Sequence, residues 1–269
     1  MSAREDWLAA RRTGIGGSDI AAVLGLSPWK TPLAVYLDKI GEGEAVDETE
    51  AMRWGTIHEP TIAREYERRT GHEIREAEMM RSARYPWMLA SVDRLIESPF
   101  QGVLEIKTAR TAQGWGEEGT DEVPVQYLLQ VQHYLVVTER EVAEIAVLIG
   151  GSDFRIYRVP FHAEIAQRII EEGGRFWRDN VLAHVPPPAR TMEDARQKWP
   201  QATEREVFAS EEVQAAALRL AEIKAEIKER ETQAESLQAR ICDAIGDGDA
   251  LVGADGRQGR LDWAAGRTR

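Results

Sequence analysis

The chain has 269 residues, one cysteine, five histidines and a formal net charge of −12, enough for one large domain or one domain with an appendage. No stretch approaches the roughly 18 apolar residues of a membrane span, and the start M-S-A-R-E-D-W lacks the apolar core of a secretion signal, so a cytoplasmic protein with no membrane partner is expected. Cys242 alone excludes an intramolecular disulfide and a four-cysteine metal site, the histidines show no ligand spacing, and the acidity argues against nucleic acid unless the cations gather in one groove.

Arg11 and Arg12 precede Gly14, Gly16 and Gly17, then Ser18, Asp19 and an apolar run of Ile20, Ala21, Val23 and Leu24. Ser18 or Asp19 is expected to cap a helix and Gly25 to stop it. A glycine-rich turn entering a helix offers free N–H groups and a positive dipole end that suit a phosphate, which either arginine could clasp. A capped helix after a flexible turn explains the same residues. The G-x-x-x-x-G-K-[ST] pattern of a nucleotide P-loop does not occur.

Thr31 and Pro32 predict the next helix start and Gly41 its end, with Leu33, Tyr36, Leu37 and Ile40 toward the core. The acidic residues Glu42, Glu44, Asp47, Glu48 and Glu50 read as an exposed loop. Glu50 to Thr70 reads as one helix closed by Gly71, with an apolar stripe of Ala51, Trp54, Ile57, Ile62 and Tyr66. Glu59 falls near that stripe, where a carboxylate needs a partner, either a salt bridge or a metal. His58 reads as a neighbour rather than a ligand.

Two β-type runs follow, Leu89–Ile96 and Gly102–Thr108, about a turn of Ser98, Pro99, Gln101 and Gly102. Asp93 lies on the first run. Glu105 and Lys107 lie on the second and share a face, because side chains two apart on a strand point the same way. Two carboxylates and an ammonium at one point can hold a divalent cation and activate a water. Thr108 to Thr120 reads as a loop over the site. A helix with Pro124 in its first turn then brings Gln126, Gln130, His133 and Tyr134 to neighbouring positions. Those amides either face a polar site or form an exposed stripe.

Strands at Ala143–Gly150 and Phe154–Val159, then a helix over Ala163–Leu182, lead to Pro186, Pro187 and Pro188, which close a domain over residues 1–188. Residues 189–209 read as a linker, and residues 210–269 as a long helix and short tail. In that helix Val213, Leu220, Ile227, Ala234 and Ile241 recur every seven residues, as do Ala216, Ile223, Arg230, Leu237 and Ala244, a five-heptad seam with one charged position. The tail carries Leu261, Trp263 and several arginines.

The order of a helix glutamate, Glu59, a strand aspartate, Asp93, and a strand E-x-K, Glu105 and Lys107, resembles the PD-(D/E)XK nuclease superfamily. The run Q-V-Q-H-Y from Gln130 to Tyr134 resembles the Q-x-x-x-Y motif of its exonuclease branches. The segment R-R-T-G-I-G-G-S-D-I-A-A-V-L-G-L-S-P-W-K-T-P and the run W-G-T-I-H-E-P from Trp54 to Pro60 resemble the YqaJ-type viral recombinase family, relatives of phage lambda exonuclease, over roughly residues 5–185. One departure is that Val92, not proline, precedes Asp93.

The resemblance implies an α/β (α+β mixed) fold with a central mixed sheet flanked by helices, followed by the long C-terminal helix. It implies that Asp93 and Glu105 bind magnesium (manganese able to substitute) with the Ile106 carbonyl, and that Glu59 binds a metal or its water. Lys107 would orient or deprotonate the attacking water, and Gln130 would position Lys107 or the scissile phosphate. Arg11 or Arg12 with Ser18 would hold a 5′-terminal phosphate, with Tyr134 among the DNA contacts. The implied activity is a 5′-to-3′ exonuclease on linear double-stranded DNA ends. It would leave 3′ single strands for a single-strand annealing protein in phage-type recombination in a bacterial host, and would work as a trimeric ring. The rivals are an endonuclease of the same superfamily and a non-catalytic DNA-end-binding scaffold.

Overall fold

The computed structural model describes residues 9–43, 48–201 and 206–246, with the backbone of 251–252 and 258–259. The chain divides into two compact units, Met1–Ala202 and Thr203–Arg269.

In the first unit, residues 9–12 are helical (α1), and the short strand β1 (Ile15–Gly16) runs directly into α2 (Gly17–Val23). Helix α3 (Pro32–Ile40) starts where expected: the Thr31 hydroxyl oxygen accepts the Ala34 N–H at 3.2 Å, and Gly41 closes it at φ +82°. Such a left-handed closure suits glycine, which has no Cβ to clash. Helix α4 (Glu50–Thr70) likewise has Thr49 as its cap and Gly71 as its stop.

Five strands form the main sheet: β2 (Glu73–Arg75), β5 (Arg94–Ser98), β6 (Gly102–Ala109), β7 (Val142–Ile149) and β8 (Asp153–Pro160), hydrogen-bonded in that order. Only β6 and β7 are parallel, joined through helix α5 (Val125–Thr138) as a parallel pair requires. A second sheet places β4 (Met88–Ala90) between β1 and β3 (Met80–Arg81). This differs from the single strand expected over Leu89–Ile96. The chain leaves one sheet at Ala90 and joins the other at Arg94, so Asp93 stands at the break. Apolar residues stand on both sides of that break, Leu89, Ala90 and Val92 before it and Leu95 and Ile96 after it, so the run reads as one strand.

On one face of the main sheet, Ile62, Ala63 and Tyr66 of α4 pack on Ile96, Leu104, Ile106, Ala146 and Phe154. Trp54 and Ile57, expected on the same stripe, are exposed; burial begins only at Ile62, in the second half of the helix. On the other face lies the larger core of α2, α3, α5 and α6 (Ala163–Phe176). The last turns of α6 widen into a π-helix at Trp177–Leu182.

The expected linker contains helix α7 (Met192–Lys198). Its Asp194 is buried and accepts the Thr31 hydroxyl at 2.6 Å, tying the helix to the start of α3. In the second unit, α8 (Glu211–Ile245) is one 35-residue helix capped by Ser210, with no buried residue. The tail residues Leu261 and Trp263, and Glu44 and Asp47 of the acidic loop, lie outside the described residues. Among the described residues no helix is long and apolar enough to cross a membrane.

Candidate active site

Strand β6 divides its side chains between the two cores. Leu104 and Ile106 join the α4 side, and Val103 joins the α5 side. Glu105 and Lys107, in the same phase as Val103, therefore meet α5. The β5–β6 ladder ends at the Arg94–Leu104 pair. Just beyond it the Asp93 carboxylate takes the place of a strand partner and accepts the Ile106 N–H at 2.6 Å.

Around that point the polar groups interlock. The Lys107 ammonium donates to Glu105 Oε1. Gln130 Nε2 donates to the same oxygen at 2.6 Å and to the Tyr134 hydroxyl at 3.1 Å. That hydroxyl donates to the Ser91 carbonyl at 2.8 Å. The Tyr127 ring, one helical turn before Gln130, lies 5.1 Å from the Lys107 ammonium. Glu105 is buried, and among the described residues its Oε2 has no hydrogen-bond partner.

The electrostatics follow from this crowding. Burial, then the charge of Glu105, pushes the Asp93 carboxyl up to about 8. Burial also raises Glu105 above the usual carboxylate range, against the pull of Lys107. Burial alone would lower Lys107, but Glu105 and Asp93 outweigh it and hold the ammonium above its ordinary value. Two carboxylates thus face one ammonium. A hard divalent cation suits the imbalance, and the unpartnered Glu105 oxygen and Asp93 are the groups that could take it. Among the described residues no set of three or more acidic, histidine or cysteine side chains is gathered at one point. Glu59 is bound to Arg94 at 2.8 Å, although its charge still raises both Asp93 and Glu105.

A second polar cluster lies at the start of α2. Arg11 donates to Ser18 Oγ at 3.0 Å and to Asp19 Oδ1 at 3.2 Å. Asp19 is buried and accepts the buried Lys39 ammonium at 2.7 Å, with Lys30 at 3.7 Å. Burial would raise the Asp19 carboxyl, but Lys39, Arg11 and Lys30 hold it well below the usual range. Neither Ser18 nor Asp19 is the helix cap. Gly16 is, and Asp19 reaches back to its N–H at 3.3 Å, so part of the positive helix end is already answered. A Cβ on Gly17 would stand 2.4 Å from Tyr134 Cε1; this close approach links the cluster to the Gln130–Glu105 network.

Residues 6–141 match the family described as YqaJ-like viral recombinase domain. The chain belongs to this family. An uncharacterized protein YqaJ of Bacillus subtilis is 39% identical over 190 residues, which are 68% of this chain and 58% of that protein, so the chain spans less than two thirds of this relative. An alkaline exonuclease (LHK-Exo) from Laribacter hongkongensis superposes with a TM-score of 0.55 at 19% identity, covering 72% of this chain and 97% of its own. It has also been solved in complex with dAMP. A phage-related exonuclease from Haemophilus somnus gives 0.50 at 11% identity, covering 64% and 96%. These likenesses show a shared fold, α/β with mixed sheets and flanking helices.

Within this YqaJ-like domain the structure brings Asp93, Glu105, Ile106, Lys107 and Gln130 together. It unites Arg11 with Ser18, while Arg12 is exposed. Tyr134, expected at the DNA, is buried behind Gln130, where burial raises its hydroxyl well above the ordinary range. His133 is a core histidine on the Leu89 carbonyl, held down to about 4 by burial. Sequence reasoning passed over Arg94, Tyr127 and Lys39, and read Asp19 only as a helix cap. Tyr127 was accessible, lying three residues before Gln130 on the same helix face. Arg94 pairs with a residue 35 positions away, which no local pattern encodes.

Proposed function

We propose that this chain is a metal-dependent exonuclease that degrades one strand of linear double-stranded DNA from the 5′ end and leaves 3′ single strands. The observation that carries the reading is the buried Glu105 Oε2, without a hydrogen-bond partner among the described residues, beside Asp93 in a centre with two carboxyl groups to one ammonium. Asp93, Glu105 and the Ile106 carbonyl would hold magnesium or manganese, and Glu59, engaged by Arg94, would act on the ion through its charge or a water. When bound, the ion supplies neutralisation of charge developing on phosphate and a more acidic water.

The chain's own residues have separable tasks. Lys107, held protonated by its carboxylate neighbours, orients the water and steadies the negative phosphate rather than serving as the resting base. Gln130 fixes Glu105 Oε1, and Tyr134 fixes Gln130 from behind. Arg11 with Ser18 holds the 5′-terminal phosphate. The cations at these points answer the objection of net charge, since DNA senses the groove and not the total. A trimeric assembly, a single-strand annealing partner and a bacterial host cytoplasm complete the proposal, by resemblance to the family.

The test is degradation of 5′-phosphorylated linear duplex and of covalently closed circles with magnesium, for the wild type, Glu105→Ala and Lys107→Ala. Loss of linear duplex only, abolished in both variants, is the expected result. Cutting of closed circles would move the assignment to an endonuclease. Full activity in both variants would remove the site, and an inactive wild type would favour the scaffold.

A further inference from the structure

The loop between α2 and α3 ends in Ser27, Pro28, Trp29, Lys30 and Thr31, and the indole of Trp29 is 69% exposed. The loop is held firmly. Ser27 Oγ accepts the N–H groups of both Trp29 and Lys30 at 3.2 Å, and Thr31 is bound to Asp194 at 2.6 Å. The indole centroid lies 6.1 Å from that of Tyr127, at an interplanar angle of 37°. Tyr127 is backed in turn by the buried Trp115, 5.6 Å away and nearly parallel. The Lys107 ammonium also lies over the Tyr127 ring, 5.1 Å from its centroid. The indole centroid therefore stands no farther than about 11 Å from that ammonium, the two separations taken end to end. That is roughly three nucleotide steps at ~3.4 Å per step.

We propose that Trp29 is a nucleobase-stacking subsite beside the cleavage centre. A base of the strand being cut lies on the indole face, within about three nucleotides of the phosphate that meets Lys107. The assignment rests on the nuclease reading and adds the contact that positions the strand. A flat exposed aromatic face within about 11 Å of the Lys107 ammonium matches a strand that carries both bases and phosphates. An apolar peptide would have no use for the nearby ammonium. Every base has a π-face, so the subsite is indifferent to sequence. Because the Ser27 bonds hold the backbone of the loop in place, less conformational entropy is lost when a base arrives.

Trp29→Ala and Trp29→Phe are compared with the wild type in two measurements on the full chain. The first is cleavage of 5′-phosphorylated linear duplex with magnesium, with normal strands and with strands carrying abasic positions in the first three nucleotides. Trp29→Ala is expected to raise KM by roughly 5- to 150-fold on normal strands, the worth of one base stack, and Trp29→Phe to recover most of that. The wild type should lose a similar factor on the abasic strands, whereas Trp29→Ala should lose none. The second is equilibrium binding, in buffer with EDTA, of a single-stranded oligonucleotide containing 2-aminopurine. Its fluorescence should be quenched by the wild type and Trp29→Phe, and not by Trp29→Ala.

A cleaving wild type whose KM and quenching are unaltered in Trp29→Ala overturns the subsite and leaves the nuclease reading intact. An equal KM penalty for Trp29→Ala on normal and abasic strands also overturns it, since that loss would not involve a base. A wild type that cleaves no DNA but quenches 2-aminopurine only when Trp29 is present sinks the nuclease reading and sustains base stacking.

Discussion

Asp93→Asn separates the chemistry of the centre from its cost to the fold. In the folded protein the Asp93 carboxyl is pushed up to about 8 by burial and by Glu105, against about 3.9 in an unfolded chain. A raised carboxylate means that the native state holds a proton which the unfolded state has lost. Unfolding free energy therefore falls as pH rises between these two values. One titrating group changes stability by ~1.4 kcal/mol per pH unit inside that window. From pH 5 to pH 8 this amounts to about 3–4 kcal/mol, nearer 2 where the titration is shared with Glu105 and where Asp93 keeps some contact with solvent. Asn at this position is neutral throughout and can still accept the Ile106 N–H. In EDTA the wild type should lose this stability across pH 5 to 8 and Asp93→Asn should lose less, only the share due to Glu105, so that the variant is the more stable protein at pH 8 and an inactive nuclease. Urea unfolding followed by circular dichroism at half-unit pH steps measures both slopes. The difference between the two proteins reports Asp93 and its coupling to Glu105, because His133 and Asp19 titrate alike in each. Adding magnesium at a hundred times its dissociation constant should restore ~2.7 kcal/mol to the wild type at pH 8 and little to the variant. Parallel slopes for the two proteins would refute the picture of a carboxylate pressed against Glu105.

Other perturbations test the framework around the centre. Asp19→Ala leaves the Lys39 ammonium buried without its carboxylate and should destabilise the protein by about 3–5 kcal/mol in urea unfolding; a loss below ~1 kcal/mol would contradict the described ion pair. Gly17→Ala drives a methyl group to 2.4 Å from the Tyr134 ring and should cost about 1–3 kcal/mol by overpacking, with cleavage slowed as Tyr134 loosens its hold on Gln130; an unchanged Tm would show that the ring yields freely. Arg11→Ala should lower the preference for 5′-phosphate over 5′-hydroxyl ends by roughly tenfold or more, while Arg12→Ala should keep it. The two variants behaving alike would detach the phosphate from the Arg11–Ser18 pair.

What the sequence determined by itself is what covalent neighbours determine. Thr31 with Pro32 and Gly41, and Thr49 with Gly71, delimit helices because caps and left-handed stops act within one turn. The alternation of β6 puts Glu105 and Lys107 on one face for the same local reason. The order of Glu59, Asp93, Glu105, Lys107 and Gln130, with the Arg-Gly-Ser segment ahead of it, was enough to indicate the family and its fold. Tertiary structure decided everything that depends on two distant segments meeting. It broke the run at Ser91–Asp93, so that Asp93 closes a ladder end on Ile106 instead of pairing inside a strand. It gave Glu59 to Arg94, chose Arg11 over Arg12 as the partner of Ser18, and buried Tyr134 as a brace. It also set an exposed indole against the aromatic stack under Lys107. Those pairings depend on sheet register and on which helix face the core covers, and the periodicity of a single segment carries neither.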